Sequence, residues 1–172
     1  DDRYRLHGHL LDWDLFRRLR KRAQARHAAG HPGAVQDYET ALELLRGPVL
    51  SQLRPDGYAW LNNHDQRHDL QIPGFVVDTA HELVDIALAA GDTALARRAA
   101  EAARAVDIDA GFDQPLVDLM RVAHAEGNPA EMEQYATILL DSREFDVPEE
   151  LPPDTFAVVN ELLPAGPRRR SS

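Results

Sequence analysis

The stretches LAAGDTALARRAAEAARAVD, residues 88–107, and AHAEGNPAEMEQYATILLDS, residues 123–142, are two versions of one pattern. In each, a helix-forming end meets a Gly and a second helix-forming run begins at once. Gly91 and Gly127 lie 36 residues apart. Five, nine and twelve positions after the Gly stand Ala96, Ala100 and Ala103 in the first copy, and Met132, Ala136 and Leu139 in the second. An earlier stretch, AAGHPGAVQDYETALELL, repeats this with each offset one residue shorter: Gly30, then Ala34, Tyr38 and Ala41. Steps of four and three stay on one helix face, and small residues there let a second helix approach closely. A period near 34 with a Gly between paired helices is the tetratricopeptide pattern. A single helix pair cannot bury its apolar face, so such pairs gain stability by stacking. The alternative is an irregular helical bundle whose Gly spacing is coincidental. The expected fold is all-α, a tetratricopeptide-like stack of antiparallel helix pairs with about seven helices.

The remaining chain extends the pattern. Asp12 is placed to cap a helix carrying Trp13, Phe16, Leu19 and Ala23 on one face. Pro32 near its first turn and Gly47 past its end bracket the second helix. A third helical region runs from about Tyr58 to Ala90, with QIPG at 71–74 inside it. Interior proline costs about 3 kcal/mol, so a kink or break is expected at 72–74. Further helices are expected at about 92–106, 113–126, 128–143 and 153–163. The opening YRLHGHLL has a short alternating look, and no strand signal of strength follows residue 12.

One firm interruption separates the second and third helices: LELLRGPVLSQLRPDGYAWLNN, residues 42–63. Gly47 is expected to end the helix in a conformation that side chains avoid, and Pro48 to block its continuation. Tyr58 and Trp60 would anchor the restart, each ring burying on the order of 150–250 Å². The segment reads as an architectural joint, with a partner-binding loop as the sharper alternative.

Charge is uneven. Residues 1–70 carry 11 basic and 10 acidic side chains, whereas residues 71–172 carry 8 and 19. Phosphate neutralisation dominates nucleic-acid affinity, so direct DNA binding by this chain is not expected. The sequence has no Cys, which excludes disulfides and thiolate metal sites. No apolar run approaches the roughly 18 residues of a membrane span. There is no Gly-rich phosphate loop and no G-x-S-x-G motif, so an enzyme is not expected, nor a cofactor. HDQRH sets His64 and His68 four apart, but Asp65 stands where a zinc protease needs Glu, and no third ligand is evident; no metal is expected there. His7 and His9 likewise alternate without a partner set. RRLRKR, Arg17 to Arg22, is the densest basic run before the tail. It reads as a solvated helix face, or as a patch meeting DNA phosphates beside an adjoining domain or the acidic half of another protomer. PEELPPD reads as helix initiation by proline and acid.

LLDWDLFRRLRKRAQ, ALELLRGPVL with YAWL, LMRVAHAEGN and LPPDTFAVVNELL occur in one order over residues 11–163. This order resembles the bacterial transcriptional activator domain, the tetratricopeptide-like module of actinobacterial antibiotic regulatory proteins. Ala41, Leu42, Leu44, Arg46, Gly47 and Leu50 match the end of its second helix, and Trp60 matches the restart. Leu45 replaces the family's usual Trp, and Pro73 departs from its long helix. The resemblance implies that residues 1–10 are an extended lead-in from an upstream winged-helix domain, 11–163 the domain itself, and 164–172 a disordered tail. It implies a regulatory, non-catalytic, cytoplasmic protein-interaction module, whose partners would be a second copy, the adjoining winged-helix domain or transcription machinery. Interaction residues expected on this reading are Arg17, Arg20, Lys21, Arg46, Tyr58 and Trp60. RPDGYAWL with VVDTAHELVDIALAAGD is similar to a membrane-associated subgroup carrying LysM modules. That likeness implies, as an alternative, a domain receiving a peptide or ligand in a membrane-linked protein.

Overall fold

The computed structural model describes residues 12–47, 68–107, 111–164 and 166. The chain divides into two compact units, Asp1–Arg46 and Gly47–Ser172. The first contains α1 (Asp12–Ala28) and α2 (Gly33–Glu43), packed on each other as a hairpin. The second contains α3 (His68–Ala89), α4 (Thr93–Val106), α5 (Gln114–Ala125), α6 (Pro129–Ser142), a 3₁₀ turn (Pro148–Glu150) and α7 (Pro153–Leu162). There α3 pairs with α4 and α5 with α6. α5 also packs on α3, α4 and α7, so the pairs form a stack. Every regular element among the described residues is helical, as the repeat predicts.

Three hairpins close with the same turn. Gly30, Gly91 and Gly127 have φ of 65°, 75° and 69°, a left-handed conformation that costs a Gly little. Gly91 N–H donates to the Leu88 carbonyl (3.0 Å) and Asp92 N–H to the Ala87 carbonyl (2.9 Å). Gly127 and Asn128 repeat these two bonds onto His124 (3.0 Å) and Ala123 (2.8 Å), and Gly30 and His31 onto His27 (2.9 Å) and Arg26 (2.8 Å). This pair of bonds satisfies helix-end carbonyls in the Schellman arrangement. The residue after Gly91 and Gly127 then caps the next helix, and the residue after Gly30 bonds the first residue of α2. Asp92 Oδ1 accepts from Leu95 N–H at 2.9 Å, Asn128 Oδ1 from Glu131 N–H at 3.2 Å, and His31 Nδ1 from Gly33 N–H at 3.0 Å. At Gly91 and Gly127 one Gly-plus-cap dipeptide therefore ends one helix and begins its partner, whereas α2 has Pro32 at its N-cap position and no side-chain cap bond.

The nine repeat positions are all buried: Ala34, Tyr38 and Ala41 in the first unit, Ala96, Ala100, Ala103, Met132, Ala136 and Leu139 in the second. Around the last three, Leu116, Val117, Met120, Leu140, Leu151 and Val159 complete a core that ties α7 to α5 and α6.

Three expectations are corrected. α3 runs unbroken from His68 to Ala89 with Pro73 inside it, so there is no break at 72–74. Pro73 is the sixth residue of α3. Its missing N–H deprives only the Asp69 carbonyl in the opening turns, and its fixed φ suits a helix. Gly74 beside it packs near an aromatic ring, and a Cβ there would lie in ordinary contact, 3.6 Å from Phe112 Cζ. Gly47 does have positive φ, 134°, but it does not end α2. That helix stops at Glu43, where Leu44 and Leu45 N–H groups bond the Ala41 and Leu42 carbonyls, tightening the last turn before the Gly is reached. Asp12 is the first residue of α1 and not its cap.

Candidate interaction site

α1 carries the basic run on a helix whose apolar stripe, Phe16, Leu19 and Ala23, is buried. Arg17 and Lys21 are exposed, as is Arg18 between them in sequence, while Arg20 is half-buried. Arg17 lies 6.0 Å from the Trp13 ring centroid and 3.7 Å from Asp14, and Trp13 stacks on Phe16 at 5.7 Å. Arg46 is exposed beyond α2. Tyr58, Trp60 and His64 lie outside the described residues, and His68 opens α3.

The last arginine of the run is not part of a free face. Asp37 on α2, 3% exposed, accepts from Arg22 Nε (2.8 Å) and Nη2 (2.6 Å), and from Arg26 Nη1 (2.7 Å). A buried carboxylate demands such partners. The Arg22 hydrogen bonds hold the Asp37 carboxyl below its ordinary range, against the effect of burial and with help from Arg26. Two of the six cations on α1 thus fasten the hairpin, leaving Arg17, Arg18 and Lys21 on its outer surface.

In the second unit a polar cluster joins α3 to α5. Asp118 is 2% exposed. Its carboxylate accepts from His81 Nδ1 (2.9 and 3.0 Å), Gln114 Nε2 (3.1 Å) and Arg121 Nη1 (3.1 Å). Arg121 Nη2 also reaches Asp85 at 2.7 Å, and Asp85 stands 3.6 Å from His81 Nε2. Because Asp118 only accepts, the His81 Nδ1 proton points to it. Asp118, above all by that hydrogen bond, raises the His81 pKa above its ordinary value. Burial and Arg121 oppose the shift and Asp85 adds to it. These groups satisfy one another in a closed ring of alternating charge, which suits a tie between helices.

A second tie lies between α4 and the α5–α6 turn. Arg97 binds Glu126 and, at 2.7 and 2.9 Å, Glu131, whose carboxylate also accepts from Tyr135 Oη at 2.8 Å. Two of the three acids of PEELPPD have structural duties. Glu150 accepts from the Asp146 and Val147 N–H groups at 2.7 and 3.3 Å, and Asp154 sits in the first turn of α7, where the helix dipole favours negative charge. Among the described residues no group of three His, Asp or Glu is placed to hold a metal ion, and no helix is long and apolar enough to cross a membrane.

Sequence reasoning did not find either buried carboxylate. One signal existed: His81 lies ten residues before Gly91 and Asp118 nine before Gly127. The repeat thus sets them at nearly equivalent places on neighbouring helices.

A family model described as "Bacterial transcriptional activator domain" matches residues 11–163. No curated protein and no solved structure gives a significant match.

Proposed function

Because the chain belongs to the bacterial transcriptional activator domain family, we propose that it is the non-catalytic regulatory module of a transcription regulator, working by contact with other polypeptide. The observation that carries this reading is the outer surface of α1. Six basic and two acidic residues occupy that helix. Arg22 and Arg26 are consumed by Asp37, and Arg17, Arg18 and Lys21 are exposed. A positive strip on a chain of net charge −10 suits an acidic protein surface, on a second copy or on an adjoining domain, and steers its approach. Arg46 is a further exposed cation of the same unit. The narrower placement, among actinobacterial regulators and their LysM-bearing subgroup, has support only from the likeness of RPDGYAWL and VVDTAHELVDIALAAGD. The full-length sequence tests that placement.

Sedimentation velocity across a concentration series, alone and mixed with the regulator's winged-helix domain, tests the main reading. Association is expected, with loss on Arg18→Glu/Lys21→Glu, a variant that spares the Asp37 pairs. Monomeric sedimentation under every condition would sink it.

A further inference from the structure

We propose that Lys21 is an acylation site, where conversion of its amine to an amide by an acyl thioester weakens the hold of the α1 strip on its acidic partner. The inference rests on the interaction reading above and adds how that contact is regulated.

Lys21 is the only lysine in the sequence; the rest of its 19 Lys and Arg side chains are arginines. It stands in the densest basic run before the tail and is exposed on α1. Arg17 and Arg18 lie four and three positions before it, so the three exposed cations are neighbours on one helix face. Lys21 makes no hydrogen bond or ion pair with a described residue. Its neighbour Arg22, by contrast, is held by Asp37 at 2.6 Å. The Lys21 charge thus takes no part in fastening the hairpin, and its removal leaves the Asp37 pairs intact.

Chemistry singles out the same residue. A guanidinium keeps its proton in proteins and does not act as an amine nucleophile, so the charges of Arg17 and Arg18 are permanent. A lysine ammonium that has given its proton to water can attack. The new bond joins Nζ to the acyl carbon, the carbon–sulfur bond breaks, and the thiol leaves with a second amine proton. The amide is neutral. The strip falls from three exposed cations to two, which lowers its attraction for an acidic surface.

The test treats the whole chain with acetyl-coenzyme A and follows it by mass spectrometry and sedimentation velocity. Cleavage after acidic residues releases residues 15–37 as one peptide with Lys21 inside it, which separates this amine from one at a chain terminus. An acetyl group is expected on that peptide. Association, with itself or with the winged-helix domain, should weaken about twofold to fivefold, the worth of one exposed charge. Lys21→Gln should weaken it equally without treatment. Lys21→Arg, which keeps the charge and accepts no acyl group, should associate like the parent before and after treatment. The differences should shrink at roughly 0.5 M salt, where charges are screened. Circular dichroism on both variants confirms the fold. No acetyl group on residues 15–37, or an acetylated chain that associates like the untreated one, would overturn the proposal and leave the interaction reading standing. Weakening of treated Lys21→Arg would overturn it too, since another amine would then be responsible. If the untreated chain does not associate at all, the interaction reading is lost and this inference falls with it.

Discussion

His81 and Asp37 show how single groups set the pH range of stability. His81 has its pKa raised in the folded chain by Asp118, so its contribution is complete below the unfolded value, about 6.5. That contribution is lost as pH rises through the higher folded value. The urea midpoint should therefore fall as pH is taken upward from about 6, and His81→Gln should flatten that fall; an unchanged slope would remove His81 from the account. The charges facing the ring are Asp85 on α3 and Asp118 and Arg121 on α5. Arg121 keeps its charge across this range, so the fall reports the histidine. Asp37 behaves oppositely. Its pKa is lowered by Arg22, so its contribution is present above the unfolded carboxyl value and is lost as pH drops through the folded one. Asp37→Ala removes hydrogen bonds from two arginines, both still in reach of water, with side chains 54% and 35% exposed. The loss should be about 1–3 kcal/mol, read from denaturant melts at pH 7.

The helix–turn–helix element is where the sequence is most legible, because the demand of its turn falls on one atom. At Gly91 and Gly127 an added Cβ would meet nothing within 4 Å. Replacement by Ala is therefore opposed by backbone conformation alone, at about 1–2 kcal/mol each. The two losses should add, since the turns share no partner; a strongly non-additive double variant would show that they are coupled. The fourth turn carries no such signature. Glu144 adopts φ 57°, and Glu144 N–H and Phe145 N–H bond the Asp141 and Leu140 carbonyls as at the Gly turns. Glu144→Gly should accordingly raise stability by about 0.5–1 kcal/mol in thermal or urea melts. Where a residue type is obligatory the pattern reads directly. Where tertiary packing holds an ordinary residue in an uncommon conformation, it does not. Pro73 teaches the same in reverse: the local cost is real, yet α3 passes through it because the packed helix outweighs one missing bond.

At the scale of the whole chain, the helical architecture was legible because it rests on periodicity, which survives in every copy of the repeat, and the family because its segments follow in one order over residues 11–163. The buried ties were not, because Arg22–Asp37 and His81–Asp118 join residues 15 and 37 apart, and local charge patterns are equally consistent with a solvated face. Net charge belongs to this largest scale too. Residues 71–172 carry 19 acidic and 8 basic side chains. On α1 two cations are already spent on Asp37, so few remain to release counterions from a duplex. Each phosphate contact contributes roughly −0.9 to the slope of log affinity against log salt. The three exposed cations of α1 outside the Asp37 pairs could support only a shallow slope and weak binding, opposed by the acidic remainder. Fluorescence anisotropy with a 20-bp duplex at 150 mM salt should show no saturable binding by the chain alone. Tight binding with a steep salt slope would mean that cations beyond these three contact nucleic acid, and the expectation that the chain does not bind DNA would fall.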